Sequence, residues 1–65
     1  MQEFIIQELK QLEKALNFEQ IYKMVAHSFN NFYTKDSVFK VIDKSFQDGL
    51  IIETNYCTYA YLNKF

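Results

Sequence analysis

The residues whose types and spacing could support binding chemistry lie between positions 35 and 48. On a helix, one outward face there would carry a row of four polar side chains: Ser37, Lys40, Lys44 and Gln47. A lysine ammonium binds phosphate or guanine, a glutamine pairs with adenine, and a serine hydroxyl serves either base. Three aspartates in the same segment balance its three lysines, so the segment has no net charge. These residues predict either a DNA-reading helix or a solvated helix face.

Catalytic and metal-binding patterns are absent from the sequence. One cysteine and one histidine exclude an ordinary four-ligand zinc site. We interpret His27 as a surface or half-buried residue near a helix end, and Cys57 as a small strand residue without the basic neighbours of a reactive thiol. There is also no serine–histidine–aspartate order and no glycine-rich phosphate loop. We therefore expect no enzyme, no cofactor and no bound metal.

A third helix would position the polar row. It is predicted to run from Thr34 or Asp36, as N-cap, to Asp48, with a core-directed face opposite the row: Val38, Phe39, Val41, Ile42, Ser45 and Phe46. Phe39 lies at the edge of that face, where packing under the preceding helix is favoured over contact with a thymine methyl group. Gly49, the single glycine, is predicted to follow the helix end with a positive φ.

Two earlier helices and a hairpin complete the predicted fold, which is mainly α with a small β-hairpin in one domain over residues 1–65. Asn17 is expected to end the first helix and cap the second, and Asn30-Asn31 to follow the second with left-handed backbone. After Gly49 the hydrophobic period changes from 3.6 to two, which predicts strands. The predicted elements are a helix over 3–16, a helix over 18–30, a strand over 50–54 and a strand over 58–62.

Tyrosines are concentrated in the predicted hairpin. Tyr59 and Tyr61 share one face of the second strand and are expected to point outward, while Ala60 and Leu62 point to the core. Tyrosine buries apolar area while keeping its hydroxyl wet, so these two residues and Tyr56 near the turn predict a partner interface. A cross-strand pair packed onto the first helix is the alternative.

Three helices followed directly by a hairpin form the layout of a three-helix winged helix-turn-helix. Three segments carry a closer likeness: Ile21-Tyr22, Val38-Phe39-Lys40 and Gly49-Leu50-Ile51. Over roughly residues 4–62, the chain resembles the N-terminal winged-helix domain of the ferric uptake regulator family.

This resemblance implies that the third helix enters the major groove of DNA and that the hairpin is a wing, with Asn55 meeting the backbone. Ser37, Phe39 and Lys40 fall where that family uses side chains near the start of its recognition helix, with Phe in place of Tyr and Lys in place of Arg. The family's second domain, which dimerises the protein and holds its metal ligands, has no counterpart. Metal sensing is therefore not expected.

Composition bears on the expected partner. Seven lysines, no arginine and eight acids give a net charge of −1, whereas DNA-binding domains usually carry a basic surplus. Five tyrosines and seven phenylalanines are more than one small core needs, which predicts a homodimer. No apolar run is long enough to cross a bilayer, and we expect a cytoplasmic protein without membrane contact.

Two functions are compatible with these observations. The first is a dimeric regulator that binds double-stranded DNA with the third helix, through Ser37, Lys40, Lys44 and Gln47, and with the wing near Asn55. The second is a winged-helix protein–protein module, such as a phage- or plasmid-encoded inhibitor of the anti-CRISPR or polymerase-binding type. A continuous positive surface over the third helix and wing would favour DNA, and a neutral or acidic surface would favour protein.

Overall fold

The computed structural model describes residues 1–12 and 14–62 as three helices and a small antiparallel sheet. The elements are α1 (Gln2–Gln11), β1 (Leu16–Asn17), α2 (Phe18–Ser28), α3 (Lys35–Gln47), β2 (Ile51–Asn55) and β3 (Thr58–Tyr61). The three strands lie in the order β1-β3-β2. The predicted mainly helical architecture with a terminal hairpin is confirmed, and the order of elements is compatible with winged-helix topology.

The first helix ends five residues earlier than predicted, because the chain enters a short strand before α2. Leu16 and Asn17 pair antiparallel with Tyr59 and Thr58. Asn17 has extended backbone (φ −79°, ψ 171°), and its Oδ1 accepts from the Gln20 N–H at 2.8 Å while Gln20 Oε1 accepts from the Asn17 N–H at 2.9 Å. This capping box confirms Asn17 as the N-cap of α2. The extended backbone of Asn17 is incompatible with a first helix that continues to residue 16. Leu16 is therefore buried as a strand residue rather than as a helix residue.

Paired asparagines end α2 as predicted, although the helix stops at Ser28 rather than Asn30. Asn30 and Asn31 have φ of 52° and 59°. The Asn31 N–H donates to the Ala26 carbonyl at 2.9 Å, which satisfies one of the carbonyls left open at the helix end.

Both predicted ends of α3 are confirmed. Thr34 is the N-cap, and its Oγ1 accepts from the Ser37 N–H at 3.1 Å. At the other end Gly49 has φ 76°, its N–H donates to the Phe46 carbonyl, and the Leu50 N–H donates to the Ser45 carbonyl. These two bonds are those of a Schellman motif, which requires left-handed backbone at Gly49.

The hairpin is confirmed, and Ala60 is buried as predicted, but the predicted orientations of Tyr59 and Leu62 are wrong. β2 and β3 pair from Ile51 opposite Tyr61 to Asn55 opposite Thr58, with a bulge between Glu53 and Asn55. Tyr59 is only 7% exposed and belongs to the core, whereas Leu62 is exposed. The reason is the unforeseen β1: it makes β3 the central strand, and Leu16 pairs opposite Tyr59. Tyr59 and Ala60, which point to opposite faces of β3, are both buried.

One apolar core joins the helices to the sheet and fixes the orientation of α3. Its buried members are Ile5, Leu9, Leu16, Ile21, Val25, Val38, Ile42, Ile51 and Tyr59. The buried Ser45 adds a polar link, because its Oγ donates to the Val41 carbonyl at 2.8 Å and accepts from Gln2 Nε2 at 3.1 Å. Within residues 1–12 and 14–62, no helix has the length and apolar character needed to span a membrane.

Candidate interaction surface

The outward side of α3 presents the predicted polar row almost as expected. Lys40, Lys44 and Gln47 are exposed, on the side opposite the buried Val38 and Ile42. We call the exposed set Lys40, Asp43, Lys44 and Gln47 the α3 face. Ser37 does not extend this set, because it is half-buried and its Oγ accepts from the Thr34 hydroxyl at 3.1 Å. Ser37 therefore belongs to the N-terminal cap of the helix.

Every lysine of α3 has a carboxylate partner. Lys40 Nζ lies 3.1 Å from Asp36 Oδ2, and Lys44 Nζ lies 3.5 Å from Asp48 Oδ2. Lys35 Nζ lies 3.4 Å from a carboxylate oxygen of Glu19 on α2. All six side chains are well exposed, so each pair stabilises the domain by only about 0–1 kcal/mol. Their consequence is electrostatic: the surface around α3 is locally neutral.

The amide of Gln47 is also engaged by an acid. Its Nε2 donates to Asp43 Oδ2 at 3.1 Å, one turn earlier on the same helix. A base contact by Gln47 would have to replace this bond. The polar row is thus interleaved with carboxylates along its length.

The hairpin tip places Asn55 and Tyr56 next to each other. Asn55 Oδ1 accepts from the Tyr56 N–H at 2.8 Å, and Glu53 Oε2 accepts from the Cys57 N–H at 2.9 Å. The Tyr56 side chain is 88% exposed. Residues 51–61 include one acid, Glu53, and no lysine. The hairpin therefore carries one negative charge and no positive charge, and one aromatic ring, that of Tyr56, projects from its tip.

An apolar row runs beside the α3 face. Phe39 and Phe46 lie two turns apart on the helix and are 45% and 44% exposed. Phe39 packs edge-to-face on Phe18 of α2, with ring centroids 5.9 Å apart, which confirms the expected contact with the preceding helix. The prediction that Phe46 faces the core is wrong. Fewer residues of α3 are buried than its apolar sequence pattern predicts.

The three hairpin tyrosines are not brought together on one surface. Tyr59 is in the core, where burial, and secondarily the charge of Glu53 paired opposite it, raises its pKa above the ordinary 10.0. Tyr61 is half-buried and its ring centroid lies 5.9 Å from Lys10 Nζ, so the alternative of packing against the first helix describes Tyr61 better. Tyr56 alone remains fully accessible among the three.

Comparisons of this chain with protein-family models, with curated proteins and with solved structures found no match.

Proposed function

We propose that this domain is a protein–protein interaction module on a winged-helix scaffold, and that it binds its partner with the α3 face, the adjoining Phe39 and Phe46, and the hairpin tip. The scaffold is supported by the order of elements and by the β1-β3-β2 sheet. A fold of this kind does not by itself decide between DNA and protein as partner. The decision rests on the charge of the exposed residues.

The observation that carries the proposal is the pairing of all three α3 lysines with carboxylates. A duplex approaching this helix would bring its phosphates close to Asp36, Asp43 and Asp48, and like charges at such distances repel. The hairpin adds Glu53 and no cation to compensate. Protein interfaces instead favour aromatic rings on a surface of low net charge. Phe39 and Phe46 are exposed rings of this kind, and the surface beside them is locally neutral.

A DNA-binding regulator remains the second candidate because of one specific observation. Lys40, Lys44 and Gln47 lie in one exposed row on the helix that a winged helix inserts into the major groove. Exchanging a surface ion pair for a phosphate contact costs only about 0–1 kcal/mol. In this function Asn55 at the hairpin tip would meet the DNA backbone.

Titration of labelled random duplexes at low and moderate salt separates the two candidates. The interaction-module proposal predicts affinity no tighter than about 10⁻⁴ M even at about 50 mM salt. Tighter binding that is lost in Lys40→Ala and in Lys44→Ala, with the fold retained by circular dichroism, would replace it with the DNA-binding candidate.

A photo-crosslinking amino acid at position 39 supplies the positive test. We expect it to capture one protein from cells of the source organism, while the same group at the exposed Gln7 on α1 does not. With that protein purified, Phe46→Ser should weaken binding at least about tenfold, as loss of an interface aromatic does, and Gln7→Ser should leave it unchanged. Equal capture from both positions, or equal affinity of both variants, would contradict the proposal.

A further inference from the structure

A continuous chain of four aromatic rings leads from α1 to the turn between α2 and α3. Phe4 packs on Phe29 with centroids 5.2 Å apart, Phe29 on Tyr33 at 5.4 Å, and Tyr33 on Phe32 at 4.9 Å. All three pairs are edge-to-face, the favoured geometry for such rings. The inner rings are half-buried, but the last, Phe32, is 76% exposed. A large apolar side chain is thus supported from behind and presented to solvent.

The backbone fixes the position of Phe32. The two residues before it, Asn30 and Asn31, both hold left-handed backbone, which asparagine tolerates better than most other residues with a side chain. The Phe32 N–H donates to the Phe29 carbonyl at 3.0 Å, and the cap of α3 begins two residues later at Thr34. Since both ends are tied to helices, Phe32 can bury its ring against a partner with little loss of conformational freedom.

The segment around Phe32 is free of formal charge. Residues 24–34 contain no Asp, Glu, Lys or Arg over eleven consecutive positions. Uncharged, aromatic composition is characteristic of the centre of an interface. None of these residues belongs to the α3 face, so the inference below does not rest on the proposed function.

We propose that the α2–α3 turn is a self-association surface, in which Phe32 of one copy packs against the Phe32–Tyr33 ring pair of a second copy. A two-fold symmetric dimer places each surface patch against its own copy, so any net charge there would repel itself. The absence of charge over residues 24–34 removes that penalty, and the aromatic rings are self-complementary. A second copy of this chain is therefore the partner that this patch fits.

The available area sets the expected affinity. A standard interface buries about 800 Å² on each partner, roughly a fifth of the 4411 Å² surface of the described residues. One phenylalanine ring contributes only about 150 Å², so a contact centred on this turn is small. We expect a weak dimer with Kd between about 10⁻⁵ and 10⁻³ M, populated only at high protein concentration.

Sedimentation velocity across that concentration range tests the proposal. Phe32→Ser should weaken dimerisation at least about tenfold, while the control Leu62→Ser, which removes an exposed apolar side chain outside both the α2–α3 turn and the proposed partner-binding surface, should behave as the unmodified chain. Raising the salt from about 50 to about 500 mM should not weaken the dimer, because the patch carries no ion pair. Circular dichroism verifies that both variants fold.

A fluorescent residue reports the contact directly, because the chain has no tryptophan. Phe32→Trp should show emission that shifts to shorter wavelength as concentration rises, and Leu62→Trp should not. A chain that stays monomeric up to about 1 mM, a dimer that Phe32→Ser leaves intact, or an equal spectral shift at both positions would overturn the proposal. A monomer whose Phe32 is instead buried by a different protein would do the same.

Discussion

Tyr59 illustrates how a single side chain couples the sheet to the core. Its ring lies among the buried residues of the helices, while its backbone pairs with both Leu16 and Glu53. Burial removes water from the phenol, which disfavours the ionised form and raises the pKa of Tyr59; the charge of Glu53 acts in the same direction. The folded state therefore binds this proton more tightly than the unfolded chain does.

The pKa of Tyr59 predicts a loss of stability at alkaline pH. The contribution of the neutral phenol is complete below the unfolded pKa of 10.0 and is lost as the pH rises through the higher pKa of the folded state. Urea unfolding at a series of pH values should show the unmodified chain losing free energy of unfolding above about pH 10, relative to Tyr59→Phe. Tyr56→Phe, which changes an exposed ring, should follow the unmodified chain; equal pH profiles for all three would contradict the assignment.

At the scale of the element, the C-terminal end of α3 depends on backbone conformation alone. A Cβ added at Gly49 would meet nothing within 4 Å, so sterics with the surroundings do not require glycine. The φ of 76° does. Gly49→Ala should lower the free energy of unfolding by about 1–2 kcal/mol, and Gly49→Val by more. Gly49→Asn, which tolerates left-handed backbone, should cost less than either, and urea denaturation measures the order. If Gly49→Ala left the free energy of unfolding unchanged, the left-handed backbone at this position would not contribute to stability.

The elements that could be predicted from sequence are those specified by local signals. Thr34 and Gly49 define both ends of α3, and Asn17 defines the start of α2, because capping and positive φ are local requirements. β1 was missed because two residues carry no strand pattern, and its partner β3 lies about forty residues away in the chain. The wrong orientation of Tyr59 followed in part from that omission, since Leu16 of β1 pairs opposite Tyr59 and belongs with it to the core.

At the scale of the whole molecule, the position of the polar row was predictable but its charge environment was not. The spacing of Lys40, Lys44 and Gln47 places them on one face of a helix, wherever that helix begins and ends. Whether each is free or paired depends on side-chain geometry, and the structure pairs all three with acids. The exposure of Phe32 also escaped prediction, because an apolar residue in a turn is ordinarily assigned to the core.

The final prediction concerns how the acids of α3 determine the class of partner. Asp36→Asn together with Asp43→Asn removes two negative charges, which takes the formal net charge from −1 to +1, and frees Lys40 from its ion pair. If the helix has the shape of a DNA-reading element and its carboxylates exclude phosphate, this variant should bind random duplexes at least about tenfold more tightly at low salt. The control Glu3→Gln with Glu8→Gln makes the same change in charge on α1. An equal gain in the control would assign the effect to total charge, whereas no gain in either would show that the α3 face does not fit a duplex.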